Sequence, residues 1–177
     1  VTDALSIKSP GKNVSLALSI SDSIDQLTSN LSSLQALAKS KSISSISIPA
    51  SPIGSEKPAL SITAAQLKAS PELLATLKGD YDLSITGVAS ADVITTAGTA
   101  DKVLKASNSQ SSMSKISISD TSANIAKNIA KLETLATAGR LTSITVSDGK
   151  PLSLTEAQIK SNMHVLGVQF TSNENIE

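Results

Sequence analysis

The chain has 177 residues, with 15 Lys and Arg balanced by 15 Asp and Glu, so no basic excess points to nucleic acid or an anionic membrane surface. It holds no cysteine and one histidine, which excludes disulfides and thiolate chemistry and leaves zinc without a ligand set. At 40% hydrophobic and 17% charged it is built to fold, yet aromatics are 1%, so the core must be Leu, Ile, Val and Ala.

No apolar run approaches the roughly 18 residues of a membrane span. The opening V-T-D-A-L lacks the charged and apolar segments of a signal peptide, as expected of a leaderless chain or of a piece of a larger one. In chain order, residues 1–13 read as a lead-in with a Ser9-Pro10-Gly11 turn. Residues 14–21 alternate apolar and small polar side chains, the period of a half-buried strand. Asp22 stands where a helix N-cap belongs, and Ile24, Leu27, Leu31, Leu34 and Ala38 form one helical stripe. A strand over 43–48 and a proline-rich loop over 49–58 come next. Leu60-Ser-Ile is a short strand, and Thr63-Ala-Ala-Gln66 is a capping box. Ser70 before Pro71 and Glu72 predicts another N-cap, with Leu73, Leu74 and Leu77 in a helix that Gly79 ends. Residues 82–86 form a strand turned by Gly87. Ser90 starts a helix interrupted at Gly98, and 108–114 is a polar loop.

Much of this occurs twice. Ile20 and Ile118 stand 98 positions apart, and the same offset relates Asp22 to Asp120, Leu27 to Ile125, Leu31 to Ile129, Leu34 to Leu132 and Ile46 to Ile144. Apolar positions are kept while the polar ones between them drift, as in two copies of one buried framework. A second block, Leu60 to Lys68, matches Leu152 to Lys160 at an offset of 92 and repeats the capping box as Thr155-Glu-Ala-Gln158. The match fades after about Asn162. The expected organisation is the tail of a preceding repeat over 1–16, a first unit over 17–114 and a truncated second unit over 115–177. Strands alternating with helices predict an α/β fold with parallel pairing through right-handed crossovers. Ser or Thr at every second strand position leaves one sheet face for helices and the other as a hydroxyl surface. The expected architecture is a mostly parallel sheet with helices on one side, solenoid-like.

Chemistry is thinly supplied. His164 is the one histidine, and no G-x-S-x-G, G-x-G-x-x-G or G-K-[ST] occurs, so the nucleophile elbow and the phosphate cradle lack their basic parts. No catalytic residue and no cofactor is expected, and the chain reads as a non-enzyme. Calcium candidates are Asp80 and Asp82 in Gly79-Asp-Tyr-Asp82, only two carboxylates for a cation that takes six to eight oxygens. Asp22, Asp120 and Asp148 also fall at strand ends or turns, and for Asp22 and Asp120 a helix cap or turn is the simpler role.

The phrases I-S-I-S-D-T-S-A-N-I, L-E-T-L-A-T-A-G-R-L-T-S-I-T-V-S-D and P-L-S-L-T-E-A-Q-I resemble repeats of very large bacterial surface and secreted proteins, often type I-secreted and carrying hemolysin-type calcium repeats. The similarity covers roughly 17–95 and 115–162. It departs from the family pattern where Ser23-Ile-Asp replaces Thr121-Ser-Ala, in the loop 49–58, and in the lack of calcium nonapeptides. The resemblance implies an extracellular or cell-surface bacterial protein of structural type: a spacer, an adhesin stalk serving cell adhesion, or an S-layer-like component. Its partners would be neighbouring repeats of the same chain, with no nucleic acid and no membrane. The alternative is a module that binds host or cell-surface glycan or protein through the Ser/Thr-rich face or the loops 49–58 and 147–151, with Tyr81 and Phe170 the only aromatic platforms.

Overall fold

The computed structural model describes residues 18–50, 56–109 and 113–172. The lead-in 1–13 with its turn, the start of the strand expected over 14–21, and parts of the loops 49–58 and 108–114 lie outside these residues.

Among the described residues, eight short strands form two sheets. β1 (Leu18–Ser21), β2 (Ile43–Ser47) and β4 (Leu77–Lys78) make one. β3 (Ala59–Thr63), β5 (Asp82–Val88), β6 (Lys115–Asp120), β7 (Leu141–Val146) and β8 (Gln169–Ser172) make the other, in that order. Every pair is parallel. Backbone bonds at the ends of β4 link successive segments: Ile48 N–H donates to Lys78 O at 2.8 Å and Gly79 N–H to Ser107 O at 3.2 Å. The fold is therefore α/β with parallel sheets flanked by helices.

The strand sequences explain the layering. Leu60 and Ile62 of β3 are buried while Ala59, Ser61 and Thr63 are exposed. In β7, Leu141, Ile144 and Val146 are buried and Thr142 is exposed. Successive side chains point to opposite faces, so the aliphatic row is buried and the hydroxyl row lies on the other face. The buried rows and helix stripes join in a single core cluster, with Leu34, Ile46, Ile85, Ile116, Leu132 and Ile144 all inaccessible to solvent.

The two stretches related by the 98-residue offset pair their strands alike. Leu18 lies opposite Ile43, the register then slips by one, and Ser19 and Ile20 lie opposite Ser45 and Ile46. Ninety-eight positions on, Ile116 lies opposite Leu141, the register slips at the same place, and Ser117 and Ile118 lie opposite Ser143 and Ile144. The skipped residues are Ser44 and Thr142. Each donates its hydroxyl to the carbonyl of the residue just before the slip: Ser44 Oγ to Leu18 O at 3.1 Å and Thr142 Oγ1 to Ile116 O at 3.0 Å.

The helices depart from expectation in instructive ways. The stripe from Ile24 to Ala38 is two helices, α1 (Ile24–Ser29) and α2 (Leu31–Lys39), broken at Asn30. The Asn30 amide donates back to Gln26 O, and Thr28 and Ser29 hydroxyls donate to Ile24 O and Asp25 O, so side chains compete with the helical ladder. Copy two breaks identically at Asn128, between α6 (Ser122–Lys127) and α7 (Ile129–Thr137). The N-caps are Ser23 and Thr121, not Asp22 and Asp120, because the hydroxyl one residue later reaches the N3 amide. Capping boxes at Thr63/Gln66 and Thr155/Gln158 start α3 (Ala64–Ala69) and α8 (Glu156–Ser161).

Pro71 opens α4 (Pro71–Thr76), and Ser70 makes no side-chain cap bond. Leu77 leaves that helix and pairs with Ile46 as β4. Gly79 comes next at φ +130°, where an added Cβ would sit 2.6 Å from Ile48 O. A 3-10 turn at Ser90–Asp92 leads into α5 (Val93–Ala106), which runs through Gly98 without interruption. After Asn162, α9 (Met163–Leu166) follows α8 as α4 follows α3, and β8 lies on β7 as β4 lies on β2.

Candidate functional site

Carboxylates at strand ends are the first candidates, and the structure gives them ties between successive strand–helix steps. Asp120 ends β6. Its Oδ2 accepts from Ser90 N–H at 2.9 Å and Ser90 Oγ at 2.8 Å, and its Oδ1 from Thr121 N–H and Asn124 Nδ2. Asp148, one step on, accepts from Ser122 N–H at 3.0 Å and Ser122 Oγ at 3.2 Å. Each carboxylate thus holds the serine that begins the helical segment one step earlier. Partial burial of Asp120 opposes its ionisation, but the donors from Asn124, Ser90 and Thr121 outweigh it and set its pKa below the ordinary carboxylate value. The Ser122 amide does the same for Asp148. Asp22 accepts from Ser23 N–H at 2.8 Å.

Among the described residues, the calcium candidates are not grouped with a third acid or a histidine. Asp80 pairs with Lys57 at 3.1 Å and accepts from Ser109 Oγ at 3.3 Å. Asp82 opens β5, its backbone amide bonded to Pro58 O. Among the described residues, no group of three or more His, Cys, Asp or Glu could hold a metal ion. No helix among them is long and apolar enough to cross a membrane.

His164 does meet an acid. Its Nδ1 lies 2.6 Å from Glu133 Oε1, on an imidazole 64% exposed. The same Glu133 oxygen accepts from His164 N–H, and Oε2 accepts from Val165 N–H at 2.8 Å. Glu133, on α7, therefore satisfies the free amides that open α9. Its burial raises the cost of charge, yet the Val165 and His164 donors win and hold its carboxyl below the usual value. Copy one does the same job without an imidazole: Gln35 Oε1 accepts from Leu73 N–H at 3.0 Å, and Gln35 Nε2 donates to Glu72. The arrangement is one helix–helix clasp with two side-chain solutions.

Sequence reasoning missed Gln35, Glu133 and Arg140. The last is the chain's single arginine. Its guanidinium donates to Asp101 and Ser114 Oγ, both at 2.7 Å, and to Ser114 O at 3.2 Å, tying α5 to the start of β6. One arginine among so many lysines was the available signal, since a planar five-donor group suits several acceptors at once.

The hydroxyl face is open to a ligand in part. Ser19, Ser47, Ser61 and Thr171 are exposed, while Ser45, Ser84, Ser117, Ser143 and Thr145 are half-buried. Some bond across strands, as Thr145 and Thr171 do at 3.0 Å. Of the two aromatic platforms, Tyr81 is fully buried and Phe170 partly so. At the end of the second sheet, Val146, Leu152, Leu166, Phe170 and Thr171 line an apolar groove of about 430 Å³. Comparison with protein-family models, curated proteins and solved structures finds no match to this chain.

Proposed function

We propose that this chain is a non-catalytic structural segment of a large bacterial surface or secreted protein, a spacer, adhesin stalk or surface-layer component, whose strand–helix steps stack into a solenoid-like rod. The observation that carries the reading is the strand order. In both sheets, β1-β2-β4 and β3-β5-β6-β7-β8, each later strand is added on the same side as the one before. Parallel crossovers are right-handed, so steps that always advance in one direction put their helices on one face. Doubly wound sheets reverse direction once, and the reversal opens their ligand crevice. An order that never reverses builds length instead. The shared 98-residue offset in register and slip supports tandem units, and the quoted phrases supply the bacterial surface setting.

The test is geometric. Chains of one, two and three units are compared by small-angle X-ray scattering. A rod adds four to five strand spacings per unit, roughly 20 Å at about 4.8 Å each. Growth of the radius of gyration as for a compact globule, about the 0.38 power of length, overturns the reading.

A second reading has one observation behind it, the partly exposed hydroxyl face. It makes the chain a glycan- or protein-binding module. The burial of Tyr81 removes one of the two aromatic platforms a sugar would stack on. Clear hits on a glycan array that vanish when Ser61 and Ser117 are replaced by Lys would promote it.

A further inference from the structure

The two copies differ at one end. In copy one, Leu60, Ile62, Leu67, Leu74 and Leu77 are each 1–3% exposed. The next strand and helix of the chain cover them. β5 pairs with β3 along Ala59–Thr63, and α5 lies against α4, with Val103 and Ala106 across a small groove from Leu67 and Leu74. The corresponding residues of copy two are Leu152, Leu154, Ile159 and Leu166, with Phe170 opposite Ile144 as Leu77 is opposite Ile46. None of these five is buried. Ile159 is 44% exposed and its neighbour Met163 63%. Residues 151–155 carry the strand sequence of β3 yet form no strand, and no described strand lies beside them. The missing cover explains both facts: without the equivalent of β5 there is no ladder to join.

From this comparison we infer that the groove, together with the strand-competent edge 151–155, is the docking seat for one more strand–helix segment with the chemistry of residues 82–106. That segment is a strand alternating aliphatic with hydroxyl residues, as Leu83-Ser84-Ile85-Thr86 does, then a helix with a small aliphatic stripe, as Val93, Ala97, Ala100 and Leu104 form. The inference rests on the tandem-repeat reading, and its occupant is a further unit of the repeat. A folded second copy of this chain does not supply it, because its own β5 is already paired on both edges, with β3 and β6.

The experiment joins residues 80–108 of this chain after Ser172 and compares the product with one carrying the same residues scrambled. The authentic segment raises Tm by about 5 °C or more and slows amide exchange at residues 152–155 at least tenfold. Ile159→Asp, which barely changes the ungrafted chain, abolishes both gains. A graft no better than its scrambled control, or an Ile159→Asp effect equal with and without the graft, overturns the seat. A dimer of the ungrafted chain in sedimentation, lost on Ile159→Asp, overturns the occupant. Rod-like growth in scattering without protection at 152–155 sinks the seat and leaves the spacer reading standing, so the two fail separately.

Discussion

Asp120 shows how single residues hold this fold. A carboxylate accepting from Ser90, Thr121 and Asn124 binds a proton less readily in the folded chain than in the unfolded one, and so do Asp148 and Glu133. On acidification the unfolded chain takes up protons first, near the ordinary values of 3.8 for Asp and 4.5 for Glu. Stability from these groups is therefore fully present above those values and is lost as pH falls through the lower folded ones. The urea midpoint should stay flat from neutral pH to about 5 and decline below about 4. Asp120→Asn should lower stability at neutral pH by about 1–3 kcal/mol, since the amide turns a donor toward Ser90 or Asn124, and should flatten the acid decline. A decline as steep as the parent's would assign the acid sensitivity elsewhere. Tyr81 offers the opposite case. Its buried hydroxyl has no hydrogen-bond partner among the described residues, and burial pushes the phenol's pKa up. Tyr81→Phe should leave Tm unchanged or raise it, because an unsatisfied group is removed at little change in volume.

At the scale of elements, the closest approach is at Gly79. Its φ of +130° and the 2.6 Å an added Cβ would leave to Ile48 O predict that Gly79→Ala costs about 2 kcal/mol or more. Gly139, at φ +64° with open space around it, should cost only about 1 kcal/mol on the same change. Equal losses in paired denaturant titrations would show that backbone conformation alone matters at Gly79. Thr63→Ala removes one half of a capping box and should cost about 1 kcal/mol. These elements also mark where sequence was readable. Alternation in Leu60-Ser-Ile and the Thr63/Gln66 and Thr155/Gln158 boxes are local signals. The β3 strand and both boxes form where those residues place them, while the like alternation at 152–154 forms no strand. The breaks at Asn30 and Asn128 hide inside an unbroken apolar stripe, because side-chain bonds to the backbone ended the helix while the stripe continued. β4 is two residues long, too short for any period to register. Among candidate site residues, the Glu133–His164 contact spans 31 positions, and nothing local to either residue announces it.

For the whole molecule, the consequence of one continuous aliphatic core is cooperativity. Leu34 and Leu132 stand 98 positions apart and are both fully buried. Leu34→Ala and Leu132→Ala should each cost about 2–5 kcal/mol, and each variant should still unfold in one transition, with far-ultraviolet circular dichroism and calorimetry coinciding. Separate transitions would mean that the units melt independently, as arrays do when neighbour coupling is weak.

The lone tyrosine has a practical side. With no tryptophan in the chain, intrinsic fluorescence comes from Tyr81 alone, and that ring sits in the short link between β4 of one sheet and β5 of the other. The protein therefore carries a native optical reporter at the joint between its sheets. A quencher that finds this ring in otherwise native conditions would be reading that joint opening, a motion that fraying at either terminus leaves silent.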